Sequence, residues 1–428
     1  MLNKFLNTDL KKRLISNFSS LLLLKITTYI FPLITLPYLV RVLKIETYGF
    51  VMFAQSFIMF LNILVDFGFN LSATREIAVH RDNKKKLTEI FSSVMIIKGF
   101  LVALSFIILA ILLFTIDKFT PHWKLYMCTF LIIVGHALFP IWYFQGLEKM
   151  KYITIVSITS KLLFTVTIFI FIHSQSDYLF VPILNGSGLI TGSLLSLWIL
   201  NKQFKQSFAF QKYTILKQYF IDSLQFFLSR VSVSLYTTIN TVIIGIFTNN
   251  TMVGYYSIAD KLYIVIQSIY GPINQVLYPF ISKEKNIALF KKIFKLVVFL
   301  NIIGIIILFL FGQSIFNLLF TESIGIKAIQ VFNILLLAAL VVVPSMLIGY
   351  PFLGALGFAK IANKSVIYAS LIHLSGIGML ILTNHLTIYS VAIMVVITQL
   401  FDLVFRVNGV VKHKLWYSSS KKVKCVEF

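Results

Sequence analysis

Seven charged side chains of this 428-residue chain stand well inside long apolar runs: Lys25, Lys98, Lys161, Arg230 and Lys261, with Asp66 and Asp260. A charge at the centre of a bilayer costs roughly 2.5–3.5 kcal/mol on insertion scales, so each of them needs a reason. Lys25 lies about ten residues into the first run, roughly 15 Å deep at 1.5 Å per residue. Asp66 sits at a similar depth in the second run and is a candidate partner for it. Arg230 lies at a comparable depth in the seventh run. Asp260 and Lys261 occupy the middle of the eighth. Lys98 and Lys161 are shallower, in the third and fifth. Cations outnumber anions, and the chemistry this favours is the binding of an anion in a watered cavity, where Lys or Arg matches phosphate or carboxylate oxygens. The carboxylates Asp66 and Asp260 either pair with these cations or carry a coupling ion. Structural readings compete: Lys98 and Lys161 can snorkel to an interface, and Asp66 can be a structural partner alone.

These charges are exceptional because the rest of the chain is so apolar. It is 58% hydrophobic and 12% charged, with a mean hydropathy of +0.90. Soluble domains run near 45–50% apolar and about 25% charged, and a water-soluble fold could not hide this much Phe, Ile and Leu. A spanning helix needs about 20 apolar residues. Runs fall at roughly 15–40, 49–74, 89–115, 124–145, 153–172, 179–200, 219–247, 252–280, 293–318, 328–358, 362–383 and 387–410. The expectation is an all-α polytopic membrane protein of about 12 transmembrane helices joined by short connections. The first run follows basic residues as a signal peptide would, but it carries Lys25, Pro32 and Pro37 and no A-x-A site. It reads as an uncleaved first helix.

The net charge of +23 does not point to nucleic acid, because the basic residues sit at the ends of apolar runs. One set of ends holds Lys4, Lys11, Lys12 and Arg13; Arg75, Arg81 and Lys84–Lys86; Lys149 and Lys151; and Lys202, Lys205, Lys212 and Lys217. The same set continues with Lys283, Lys285, Lys291, Lys292 and Lys295, with Lys360 and Lys364, and with the tail lysines from Lys412 to Lys424. The opposite set holds only Arg41, Lys44, Lys118, Lys124 and Lys327. This bias places both termini in the cytoplasm and requires an even number of crossings.

Aligned on itself at an offset of 205, the chain sets Gly49 on Gly254, Ala54 on Ala259 and Lys25 on Arg230, and TYGFVMFAQ faces MVGYYSIAD. Chance agreement between apolar segments is the competing account. A real repeat is parallel, giving two six-helix halves, 1–205 and 206–428 with the cytoplasmic tail, around a central cavity whose site lies between the halves. Pro32 and Pro37 should kink the first helix. Pro344, Gly349, Pro351, Gly354 and Gly357 mark a break or hinge in the tenth. Asp402 and Arg406, spaced i, i+4, read as a local ion pair. His136 and His373 read as helix-to-helix hydrogen-bonding groups. With Cys128 and Cys425 as the only cysteines, there is no disulfide framework. No P-loop, nucleophile elbow, zinc motif or other metal spacing is present, so no cofactor, no metal and no enzymatic reaction are expected.

The stretch PLITLPYLVRVLKIETYGFVMFAQSF, from Pro32, resembles the first helix pair of the Wzx-type polysaccharide flippases of the multidrug/oligosaccharidyl-lipid/polysaccharide exporter superfamily. VDFGFNLSATREIA from Val65, PIWYFQGLEKMKYITIVSITSKL from Pro140 and VGYYSIADKLYIVIQSIYGPINQVLYPFISK from Val253 are similar to further signatures of that family, and LGALGFAK from Leu353 fits more loosely. The resemblance implies an alternating-access cycle that moves an undecaprenyl-pyrophosphate-linked oligosaccharide, an O-antigen or capsule repeat unit, across a bacterial inner membrane. It implies membrane lipids as surroundings, and a polysaccharide polymerase and a chain-length regulator as partners. Lys161 falls at the basic position of the family's S-K-L pattern and Lys261 at that of A-[DE]-K. Arg75 falls in SATRE, and Gln145 and Glu148 in FQGLE.

Two other readings stay open. A drug or small-cation exporter of the same superfamily calls for an anionic cavity, against which the excess of Lys and Arg argues. A membrane polysaccharide polymerase or lipid-linked glycosyltransferase calls for a large external loop or clustered carboxylates.

Overall fold

Hydrocarbon offers no partner to a backbone N–H or C=O, and a helix pairs both internally, so apolar runs of this length must be helical. The computed structural model describes residues 8–417, apart from the side chains of 8–18, 21–22, 229–230, 232–233, 235–237, 275, 322–323 and 417. Among these residues there is no strand. The helices are α1 (Thr8–Asp66), α2 (Phe69–Val79), α3 (Lys84–Thr115), α4 (Trp123–Leu138), α5 (Ile141–Gly146), α6 (Met150–Phe171), α7 (Phe180–Phe204) and α8 (Tyr213–Thr237). They continue with α9 (Ile239–Phe247), α10 (Asn250–Ile269), α11 (Gly271–Glu284), α12 (Ile287–Leu319), α13 (Glu322–Leu347), α14 (Ala359–Leu382) and α15 (Ile388–Lys412).

Nine stretches of the described residues are long and apolar enough to cross a membrane. One of them, Leu23–Val79, holds two crossings, because α1 breaks at Lys44, where φ is 63° and ψ 158°. The pairs α8–α9 and α10–α11 add two more, interrupted at Thr238 and at Tyr270. The result is the all-α multi-pass architecture of twelve crossings. Pro32 and Pro37 both lie within helical backbone of α1, and the chain passes from its first crossing to its second at Lys44. Helix starts follow ordinary capping rules. Asn83, Asn249, Asn286 and Thr387 accept a hydrogen bond from the backbone N–H three residues on, opening α3, α10, α12 and α15.

The chain forms two compact units, Met1–Ser234 and Leu235–Phe428. In the first, α7 packs on α4 and α6, and α1 packs on α4 and α6. Apolar helices gain no hydrophobic energy from meeting in lipid, so close van der Waals contact must hold them, and small residues allow it. A Cβ on Gly135 of α4 would stand 2.5 Å from Leu189 Cβ, and one on Gly186 of α7 would stand 2.5 Å from Leu131 Cβ. In the second unit α13 is central, against α10, α12 and α15. Much of the surface of α12 is bare apolar side chain, among them Phe299, Ile306 and Leu310, as a lipid-facing helix requires.

The break expected in the tenth crossing is present. After α13, residues Ile348–Gly354 adopt a wider, π-helical turn in which Gly349 leaves helical geometry (ψ −116°). Arg406 of α15 holds this turn. Its Nη1 donates to the Ser345 carbonyl (2.8 Å), its Nε to Ser365 Oγ of α14 (2.9 Å), and its Nη2 pairs with Asp402 Oδ2 (3.1 Å). Ser345 Oγ donates to the same Asp402 oxygen at 2.7 Å. The expected i, i+4 pair therefore exists, but it is buried and ties three helices. A Cβ on Gly349 would lie 2.8 Å from Arg406 Nη1, so glycine there makes room for the guanidinium.

Removing one partner of a buried ion pair strands the other. Arg406→Ala should therefore cost about 3–5 kcal/mol. In detergent, scanning fluorimetry should show a clear fall in unfolding midpoint. The Asp402→Ala, Arg406→Ala double variant should lose less than the sum of the two single losses.

Candidate functional site

Inside the first unit, titratable side chains from four helices form a chain of electrostatic neighbours. Lys161 of α6 donates its Nζ proton to Thr28 Oγ1 of α1 (2.6 Å), and Thr28 passes its own proton to the Leu24 carbonyl (2.6 Å). Lys25, one turn before Thr28, is close enough for its charge to act on Lys161. Lys98 of α3 is 4% exposed, and the charge acting on it is that of Asp66 at the end of α1. His136 of α4 stands in the field of both Lys98 and Lys161. Asp66 also accepts from Asn70 Nδ2 of α2. The fold thus gathers Lys25, Lys98 and Lys161 with His136 and Asp66, an arrangement with more positive than negative groups. Such an arrangement can hold an anion.

The second unit has its own polar group. Asp260 and Lys261 of α10 are half-buried neighbours that attract each other. Asp260, Tyr263 and Gln267 share one face of α10 and line a cavity of about 120 Å³ with Asn240, His373, Thr398 and Gln399. His373 of α14 is 1% exposed. Its Nε2 meets Asn240 Oδ1 of α9 (2.8 Å) and its Nδ1 meets Thr398 Oγ1 of α15 (2.8 Å). Thr398 gives its own proton to the Met394 carbonyl. A neutral ring fits this network: Nδ1–H donates to Thr398, and Nε2 accepts from the Asn240 amide once its N and O are exchanged.

His373 therefore does the helix-to-helix bonding expected of it, across three helices. Sequence reasoning did not single out Asn240, Thr398 or Gln267. An Asn or Gln within an apolar run was the available signal. The side chain of Arg230 lies outside the described residues, as do those of Lys4, Lys11, Lys12 and Arg13, and residues 418–428 with Lys421, Lys422, Lys424 and Cys425. Among the described residues, no cluster of three or more His, Cys, Asp or Glu could hold a metal ion.

The sequence profile of the family described as "Polysaccharide biosynthesis protein" matches residues 14–285, more than half of the chain. The chain belongs to this family. Within the family's matched region, the two motifs of the first unit meet in space. Gly146 of α5 packs against Ile77 of α2 so closely that a Cβ would stand 2.5 Å from Ile77 Cγ2. Thr74 Oγ1 lies 3.4 Å from Gln145 Oε1, and Arg81 and Glu148 form a half-exposed pair at 3.7 Å. Arg75 points elsewhere, into a polar cavity shared with Asp222 of α8.

The chain is 31% identical over 272 residues to a putative O-antigen transporter of Escherichia coli K12, covering 62% of this chain and 66% of that protein. It is 30% identical over 256 residues to a putative O-antigen transporter of Shigella dysenteriae, covering 60% and 64%. The matches thus span just under two thirds of these relatives' lengths. In fold, it resembles an inward-facing multidrug resistance MATE family transporter of the MOP superfamily (TM-score 0.68, 15% identity, 91% of this chain and 96% of that one). It also resembles the lipid II flippase MurJ in an inward closed conformation (TM-score 0.66, 14% identity, 91% and 87%).

The His373 network yields a stability prediction. His373→Leu leaves the buried Asn240 side chain without its ring partner, and a stranded buried polar group costs about 1–3 kcal/mol. The unfolding midpoint in detergent should fall, and His373→Gln, which restores a donor and an acceptor, should recover part of the loss.

Proposed function

We propose that the protein is a flippase that carries an undecaprenyl-pyrophosphate-linked oligosaccharide, an O-antigen or capsule repeat unit, from the cytoplasmic to the periplasmic leaflet of a bacterial inner membrane. Both termini lie in the cytoplasm in this reading. The observation that carries it is the gathering of Lys25, Lys98 and Lys161 within a membrane unit, linked through one another's fields and through His136, with Asp66 as the counter-charge acting on Lys98. Family membership and the O-antigen transporter relatives support the same cargo. Sugar hydroxyls and a pyrophosphate cannot enter hydrocarbon unaided, since each polar group stripped of partners costs several kcal/mol, on the order of 2–7. Ammonium groups that are already desolvated and held by neighbours such as Thr28 replace water at the phosphate oxygens.

Lys261 and Arg230 extend the set of anion-binding groups to the second half of the chain, so that each half offers cations to the cargo as it crosses. An inside-negative potential assists outward movement of an anion by roughly 2.3 kcal/mol per charge per 100 mV. Asp66 and Asp260 are the carboxylates on which an ion gradient would act. A drug exporter of cations is a poorer fit, because the interior cations would repel its cargo. A polymerase partner and a chain-length regulator would act on the flipped unit on the far side.

Deletion of the gene should abolish surface polysaccharide while complete lipid-linked repeat units accumulate on the cytoplasmic side, read by extraction and by protection from an external glycosidase. Accumulation of single units already on the outer face would instead identify a polymerase. In complementation, Lys25→Ala, Lys161→Ala and Lys261→Ala should each reduce surface polysaccharide at unchanged protein level. Normal polysaccharide from a Lys25→Ala, Arg230→Ala double variant would remove the anion-binding role of that pair.

A further inference from the structure

At the start of α2 the backbone takes two consecutive left-handed residues, Phe67 (φ 43°) and Gly68 (φ 74°). Glycine adopts this conformation freely, but a phenylalanine does not, and such strain persists only where the surroundings enforce it. The surroundings here are α8. The Phe67 ring, 3% exposed, stacks on Phe220 (centroids 4.4 Å apart, planes 22°) and on Phe227 (4.7 Å, 15°). Gly68 lies so near the α8 backbone that a Cβ would stand 2.7 Å from Phe226 Cβ and 2.8 Å from Phe227 N. One turn further along α2, Ser72 Oγ and Ser223 Oγ share a buried hydrogen bond of 2.7 Å. At the edge of the seam, Tyr219 of α8 donates to Glu89 of α3, which also holds Lys86.

Beside the serine pair opens a polar cavity of about 260 Å³, lined by Arg75, Glu76, Asp222 and Gln225. The seam thus changes character along its length, from charged cavity through a serine pair to a stacked aromatic plug. Asp66, with the cations it neighbours, lies immediately before that plug in the chain. Backbone held in a left-handed turn by a few specific side chains is a place where a seam can open at low cost. Moreover α8 is the helix that carries the chain past Ser234 into the second unit.

We infer that the α2–α8 seam is a releasable gate: the Phe67–Phe220–Phe227 stack and the Ser72–Ser223 pair seal the cavity side from the interior cations in one state and part in another. Strain at Phe67 and Gly68 lowers the cost of parting, because the left-handed turn relaxes when the ring leaves its slot. The inference rests on the alternating-access reading given above.

The test uses the serine pair, whose oxygens are close enough for a disulfide between cysteines in their place. The full-length chain carries Ser72→Cys and Ser223→Cys with Cys128→Ser and Cys425→Ser, and replaces the chromosomal copy. Newly exported polysaccharide is pulse-labelled before a brief diamide treatment, after it, and after reduction. Export should stop when the cross-link forms and return on reduction, with both single-cysteine chains unaffected. Continued export with most molecules cross-linked would overturn the gate. A second readout does not depend on export. In a chain with Ser72→Cys alone, N-ethylmaleimide should label residue 72 in native membranes on the timescale of the transport cycle. A thiol that stays unreactive until denaturation would show a permanent seam. If deletion of the gene leaves surface polysaccharide intact, the flippase reading fails while the labelling still reports whether the seam parts.

Discussion

Hydrocarbon neither solvates a charge nor pairs a peptide group, and the organisation of this chain follows from that constraint. Backbone groups must be satisfied within helices, which gives the twelve crossings. Side-chain charges must find partners, be drawn to the interface, or face water. The two units meet this demand in different ways. Arg406 is fully provided for: Asp402, the Ser345 carbonyl and Ser365 occupy its guanidinium, and its effect is to fasten a broken helix. Among the described residues, Lys161 donates to the neutral hydroxyl of Thr28 and shares its surroundings with another ammonium group at Lys25. The contrast is between a charge matched by a carboxylate and one set beside another cation.

The crossings were legible in the sequence because their cause is local: a run of about 20 apolar residues in lipid has one stable conformation. Their breaks were less so. The junction between the first two crossings, expected between the runs 15–40 and 49–74, shrinks to the single residue Lys44, and Pro32 and Pro37 keep helical backbone before it. Proline inside a membrane helix is tolerated when neighbours re-satisfy the freed carbonyl, so its presence alone does not locate a bend. The tenth-crossing break was legible because five Pro and Gly residues fall there together. Asp402 and Arg406 were legible as a pair by their i, i+4 spacing, but Ser345 and Ser365 were not, being contributed by other helices. The same holds for the site. Depth in an apolar run identified Lys25, Lys98, Lys161, Asp66, Asp260 and Lys261. It could not show that Asp66 acts on Lys98, or that His136 joins the cations, since those relations depend on which helices the fold places side by side.

Packing divides the molecule into parts that are suited to stay fixed and parts that are suited to move. The α4–α7 contact is built from glycines on both helices facing leucines on the other, with no room for a Cβ on either side. An interface of that kind has one good geometry and resists sliding. The π-helical turn after α13 and the left-handed turn before α2 are of the opposite kind. Each departs from ideal geometry and is held by a few specific side chains, Arg406 in one case and the α8 phenylalanines in the other. Where helices of a bundle shift against one another, the change in φ and ψ is absorbed at a few residues of this kind.

The proposed anionic cargo would add a further constraint on the cations: bound too tightly it would never leave, so the interior charge must be offset to a degree that permits release. Asp66 beside Lys98 and Asp260 beside Lys261 are placed to do this in each unit. A carboxylate within reach of an ammonium group weakens that group's attraction for phosphate without abolishing it, which is what release of such a cargo would need.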